Sequence, residues 1–441
     1  STEISEPAGA ETSGAEYSEP EEDDGPTDAP EPSEDESAES SVTTSPENEE
    51  LNRRLLEAAV DGATPAVVQL LDQGADPNAT NEDGATALMY AAGAGDSQMI
   101  EELLDAGADV DAFDSGGWTP LIAAAYAEEY HLMEQLLGAG ANPDAADNDG
   151  ATALMYAAFH GVPEAVATIL SAGADPDIRD EGSWTALILA SVQGNFECLK
   201  LLIDAGADPN IPRDNGLTGL MHAADNGLSE IVETLIEAGA DVNGADNRGR
   251  TALLYAAQVG SREIVSSLLE SGAAVDMKDT EEGITALFLA VTKGHTGVAE
   301  DLIEAGASVD AQDDMGRTPV MHAVHEGYTD ALKTLISHDA DPDIQDLQKK
   351  SALMYACEEG DYDSAKLLVE YGADLDLTDG DGRTALIISI TEGDEALAAL
   401  LIENRADIVI EDASGMTALE YARELELLDT VALLEERISE R

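Results

Sequence analysis

The chain has 441 residues and 43% hydrophobic content, enough for a core, yet only 4% are aromatic, so its apolar share is mostly Ala, Leu, Ile and Val. Against 20 Lys and Arg stand 93 Asp and Glu, a formal charge of −73, and so anionic a surface disfavours nucleic acid and anionic membranes as partners. Self-repulsion on this scale calls for screening, and the Debye length falls from about 30 Å at 0.01 M salt to about 3 Å at 1 M, which points to a halophilic setting; an ordinary acidic protein is the plainer alternative.

Residues 1–49 are rich in Asp, Glu, Pro, Ser, Thr and Gly and hold neither Lys nor Arg. Such a stretch cannot bury enough apolar area to offset the entropy of ordering, so it is predicted to be a disordered acidic tail or spacer, with Tyr17 its only aromatic. Removal of an initiator Met, cleavage of a signal or trimming would each explain a start at Ser1. That leaves two locations open: the cytoplasm of a salt-adapted cell, or export or tethering through the tail.

From Glu50 onward a period emerges. Thr followed by a small residue and two apolar ones recurs at Thr86, Thr119, Thr152, Thr185, Thr218, Thr251, Thr285, Thr318, Thr384 and Thr417, with Ser351 in the missing place. The step is 33 residues, except for 34 between Thr251 and Thr285, where one residue is inserted near Glu281. A glycine ladder runs in phase through Gly74, Gly107, Gly140, Gly173, Gly206, Gly239, Gly272, Gly306 and Gly372. Within residues 81–113, Thr86 is expected to cap a short helix whose Leu88, Met89, Ala91 and Ala92 face inward, and Gly95 to break it. Met99, Ile100, Leu103 and Leu104 then mark a second helix, which Gly107 ends in a left-handed cap. Asp109-Val110-Asp111 leads into a polar hairpin-like loop. Each unit has an apolar face too small to stand alone, so neighbours must stack.

The segments "DSGGWTPLIAAAYA", "DNDGATALMYAAFHG", "DNRGRTALLYAAQVG" and "DMGRTPVMHAVHEGYTDALKTLI", with the recurrent "LLDAGADVDA", resemble the ankyrin repeat family. The resemblance covers residues 50–441 and implies an all-α ankyrin-repeat solenoid of helix-turn-helix-hairpin units: an N-terminal end unit over 50–80, ten repeats over 81–411 and a C-terminal end unit over 412–441. It departs from the family pattern in three ways. The Thr-Pro pair survives only at Thr119-Pro120 and Thr318-Pro319. The family's His after the following Leu is replaced by Met89, Ile122, Met155 and Ile188, so packing is expected to substitute for its hydrogen bonds. Two units carry Asp339 and Arg405 where Gly belongs.

The resemblance also implies partner binding on a concave face, through the residue before each Thr and the ends of the first helices. Trp118, Trp184 and Leu217 fall in the first set and Tyr126, Phe159, His160 and Val192 in the second, which suggests one aromatic patch. In the C-terminal half the residue before Thr turns basic: Arg250, Arg317, Lys350 and Arg383. With Arg213, Arg248 and Lys349 these form a stripe that either meets acidic groups of a partner or neutralises Asp246, Asp313 and Asp379. The tryptophans have a structural alternative too, packing on neighbouring loops.

Catalysis finds little support. Seven histidines are scattered; His322 and His325 have ligand-like spacing but no third partner. Loops such as Asp147-Asn148-Asp149-Gly150 are turn formers before they are calcium ligands, and they lack an EF-hand's terminal Glu. Cys198 and Cys357 fall on core positions of different layers and cannot pair. No apolar run approaches the ~18 residues of a membrane span. The expectation is therefore a monomeric, non-catalytic scaffold for protein–protein interaction, without cofactor, metal or nucleic acid. The alternative is a polyanion that mimics nucleic acid and competes for basic proteins.

Overall fold

The computed structural model describes residues 46–439, so the tail expected over 1–49 lies outside the described residues up to position 45. Its last four residues are helical. The first helix, Pro46–Val60, begins with the proline whose missing N–H is not needed there, and Glu47 and Glu49 favour its positive end. This helix includes four residues that the sequence reading assigns to the tail.

The described residues form 24 α-helices in twelve antiparallel pairs, with one 3₁₀ turn at Tyr130–Leu132. Each first helix packs on the first helices of the flanking units and on its own second helix, and the second helices form a parallel row. The result is a two-layered helical solenoid. Small residues make the close spacing possible: in Ala87–Gly93 the side chains of Ala87, Leu88, Ala91 and Ala92 are all fully buried. The partner helix Ser97–Asp105 buries Met99, Ile100 and Leu103, a stripe at helical spacing.

The recurring Thr is an N-cap. The Thr86 hydroxyl accepts from the Met89 amide at 3.3 Å, and the same bond recurs at Thr119, Thr152, Thr185, Thr218, Thr318, Ser351, Thr384 and Thr417. Thr251 and Thr285, which flank the inserted residue, do not make it, and both hydroxyls are buried without a partner. At Thr251 the Leu254 amide turns instead to the Thr251 carbonyl at 3.0 Å, one bond tighter than the cap. Packing alone does not replace the family's His. In three units the Met sulfur accepts the cap residue's own amide at 3.5 Å, as Met89 does from Thr86, Met321 from Thr318 and Met354 from Ser351.

Gly107 takes φ +90 after its helix, and Asp339 and Arg405 adopt φ +64 and +72 in the equivalent places. Two ladders then tie unit to unit. Hairpin tips join through backbone bonds such as Asn148 N to Gly116 O at 2.9 Å and Leu347 N to Met315 O at 3.0 Å. Behind them runs an Asp/Asn relay: Asp111 accepts from the Asn142 amide at 2.8 Å, Asn142 from Asp144 at 3.1 Å, and Asp144 from Asp175 at 2.8 Å. At Asn78, Asn210 and Asn243 the relay residue's amide also reaches forward, Asn243 donating to Gly272 O at 3.2 Å.

Candidate functional site

Most hairpins are organised by one carboxylate, buried at Asp147, Asp246, Asp279, Asp313, Asp346 and Asp379, while Asn81 and Arg213 hold the place in two others. Asp246 Oδ1 accepts the amides of Arg248 at 2.9 Å and Arg250 at 2.8 Å, and Oδ2 accepts the Tyr255 hydroxyl at 2.6 Å. The same tyrosine, nine residues on, serves Asp147 (Tyr156, 3.0 Å), Asp346 (Tyr355, 2.7 Å) and Asp412 (Tyr421, 2.6 Å). His322 takes that role for Asp313 at 3.2 Å. Burial, reinforced by the adjacent carboxylate, holds the hydroxyls of Tyr156, Tyr255 and Tyr355 protonated well above the usual tyrosine range. This pairing fixes each ring on the side of the solenoid formed by first helices and hairpins.

Tyr156 anchors a cluster. Its ring lies 6.0 Å from Trp118 and 5.8 Å from Tyr126, and Trp118 meets Tyr126 edge-on at 4.8 Å. Trp118 is half-buried against the core, whereas Tyr126 is 45% exposed. The turn that follows Tyr126 is irregular. Glu128 has φ +62 where most units place a glycine, and the 3₁₀ turn Tyr130–Leu132 precedes a shortened helix, Met133–Gly138. Burial pushes the Tyr130 hydroxyl up to about 12, and that oxygen has no hydrogen-bond partner.

The single aromatic patch expected from the sequence divides into separate groups. Trp184 lies under the Arg213 guanidinium, 3.6 Å from ring centroid to Cζ, and stacks on His222 with centroids 5.6 Å apart. Phe159 meets His160 at 5.4 Å, and the His160 imidazole approaches Glu128 at 3.5 Å. Val192 and Leu217 are half-buried, and Leu217 packs against the core. Among the described residues no ring contact links Trp118 to Trp184. Tyr156 and His222 were not among the expected site residues. Their signal is the Tyr or His that recurs four residues after the capping Thr.

The basic column is largely satisfied within the chain. Arg317 binds Asp313 at 2.8 Å, Arg383 binds Asp379 at 2.8 Å, and Lys350 binds Glu358 at 2.7 Å while lying 5.5 Å from the centre of the Tyr355 ring. Arg250 reaches Gln258 at 3.1 Å and faces the buried Asp279, not Asp246, at 3.6 Å. Arg248 approaches Glu281 at 3.6 Å. These contacts favour neutralisation over display. Arg213 is occupied by Trp184.

Among the described residues no group of three or more His, Cys, Asp or Glu is placed to hold a metal ion, and no helix is long and apolar enough to cross a membrane. His322 and His325 point to different acids, Asp313 and Glu359. Cys198 and Cys357 are buried and unpaired with each other, burial pushing the Cys198 thiol up to about 11. An open groove of about 810 Å³ lies at the first unit, between Leu56, Val60 and Tyr90, apart from the Trp118 cluster.

The family described as ankyrin repeats (3 copies) matches residues 55–147, 123–213, 188–279, 272–346 and 353–439. No curated protein matches the chain.

Proposed function

The chain belongs to the ankyrin-repeat family, and on that premise we propose that it is a non-catalytic scaffold binding a partner protein on the concave face of the solenoid. The twelve helix pairs are then ten repeats over 81–411 between end units over 50–80 and 412–441. The observation that carries the reading is the Trp118–Tyr126–Tyr156 cluster. Large rings held by a buried hydrogen bond from Tyr156 to Asp147, with Tyr126 left 45% exposed, lose little entropy on binding. Phe159 and His160 flank it. Trp184, Val192, Leu217, Arg250, Arg317, Lys350 and Arg383 extend the same face but are engaged within the chain to a greater degree.

The test is capture from matched high-salt lysate, comparing the wild type with a Trp118→Ala/Tyr126→Ser variant of verified fold. Proteins held by the wild type and lost with the variant support this site. Identical sets would reject it. Trp184 is unsuited to the test because its removal also strips Arg213 and His222 of their stacking partner.

A second reading is that of a polyanionic competitor for basic proteins. It draws on the row Asp109, Asp111, Asp144, Asp175, Asp177 and Asp208 along the relay edge. Affinity that falls steeply with salt and is indifferent to Trp118 would favour it.

A further inference from the structure

Resting on the scaffold reading, we infer that the Trp118–Tyr126–Tyr156 cluster seats a cationic side chain, an arginine or lysine projecting from a basic segment of the partner. The array itself displays the chemistry. Two aromatic residues on this side are covered by cations from within the chain, Trp184 by Arg213 at 3.6 Å and Tyr355 by Lys350 at 5.5 Å. A ring face attracts a cation through its quadrupole, and the attraction strengthens as water is excluded.

At Trp118 the chain has no such cation to supply. Between Arg54 and Arg179 the sequence contains no Lys or Arg, and residues 55–178 carry 22 Asp and Glu. The cluster therefore combines ring faces with a negative potential that no Lys or Arg of this stretch offsets, His160 at 3.5 Å from Glu128 doing so only when protonated. Asp149 is exposed and close enough to Tyr156 to help raise its hydroxyl, and the carboxylate of Glu128 is 65% exposed two residues beyond Tyr126. An acidic partner would be repelled, and a purely apolar one would leave those carboxylates without compensation. A guanidinium or ammonium satisfies both the rings and the rim.

The position is also distinct within the array. The ends of most other first helices carry small or polar residues such as Gly93, Asp225, Gln258 and Glu358, with Val192 and His325 the exceptions, whereas here Tyr126 and then Phe159 stand in adjacent units. The 3₁₀ turn interrupts the regular geometry just beyond Tyr126, where Glu128 keeps with a side chain the left-handed turn that other units give to glycine.

The experiment uses the full chain with Trp184→Phe, which leaves a ring beneath Arg213 and makes Trp118 the only indole. The probes are an acetylated Gly-Arg-Gly-Arg-Gly amide and its citrulline counterpart, nearly the same shape without the charge, titrated at 0.15 M and 1 M salt. Trp118 emission should change saturably with the arginine peptide, and the citrulline peptide should bind about three- to thirtyfold more weakly. Tyr126→Ser should weaken arginine binding to a similar degree, and Tyr126→Phe should restore it. Equal response to both peptides, or binding of a labelled arginine peptide that leaves Trp118 emission unchanged, would overturn the inference. A partner capture that depends on Trp118 while Trp118 ignores the arginine peptide would also overturn it, and would leave the scaffold reading standing.

Discussion

Arg213 lays its guanidinium over the indole of Trp184, 3.6 Å from the ring centroid, in the place where most other hairpins carry a carboxylate. Asp246 and Asp313 hold that place in later units and accept from Tyr255 and His322. His222, nine residues after Arg213, therefore meets a cation instead of an acceptor, and its Nε2 is buried without a partner.

The pH consequence follows from that exchange. Burial, with Arg213 adding to it, pushes His222 down to about 4 from an ordinary 6.5. Its contribution to stability is present above pH 6.5, because there the imidazole is neutral in both states. It is lost as pH falls through about 4, since the unfolded chain takes up the proton first. A shift of this size corresponds to on the order of 3 kcal/mol. Urea unfolding at pH 7 and pH 4.5 should show a smaller loss for His222→Leu than for the wild type; parallel losses would remove His222 from the account.

Tyr255→Phe isolates the hairpin carboxylate. The substitution keeps the ring and deletes the 2.6 Å bond to Asp246, leaving a buried carboxylate one donor short. The expected cost is about 1–3 kcal/mol, read as a lower urea midpoint. Tyr421→Phe deletes a bond of the same length at the end unit, where Asp412 is only half-buried whereas Asp246 is buried, and should cost less. Equal costs would mean that burial does not set the strength of this contact.

The left-handed positions give a third expectation. Arg405 at φ +72 and Asp339 at φ +64 stand where nine other units use glycine, and a non-Gly residue there costs on the order of 1 kcal/mol. Arg405→Gly should therefore stabilise, and by more than Asp339→Gly, because Asp tolerates this conformation better than Arg. In the unaltered chain, hydrogen exchange should find the units over 313–411 opening more readily than those over 147–278. Equal protection in the two stretches would refute that ordering.

The period, the Thr caps and the glycine ladder were legible because each is a local demand: a hydroxyl three residues before an amide, or a φ that only glycine adopts freely. Harder to read were the side-chain contacts of the hairpins. Asp147 and Tyr156 both recur with the repeat, but they lie nine residues apart in a hairpin and a helix, and nothing local marks them as partners until the fold brings them to 3.0 Å. For the same reason Trp118 and Trp184 read as one column but fall in two separate ring groups, since what covers each ring depends on the neighbouring unit. Arg250 shows the same dependence: Leu289, four residues after Thr285, stands where Asp279 would find a tyrosine, and Arg250 of the preceding unit faces that carboxylate at 3.6 Å.

Salt should stabilise the two halves of the array unequally. Residues 55–178 hold no Lys or Arg, whereas 252–370 hold Arg262, Arg317, Lys333, Lys350 and Lys366, each within 4.0 Å of a carboxylate. Repulsion among unrelieved carboxylates is screened as the Debye length shortens, while attraction within exposed pairs is screened by the same ions. Hydrogen exchange at 0.05 M and 1 M sodium chloride should therefore show amides in 87–171 gaining more protection than those in 252–370. Sucrose, which favours burial without regard to charge, should raise both stretches alike. A uniform gain in salt would mean that charge is balanced along the solenoid by contacts other than these pairs; a larger gain in 252–370 would reverse the assignment of which half is under electrostatic stress.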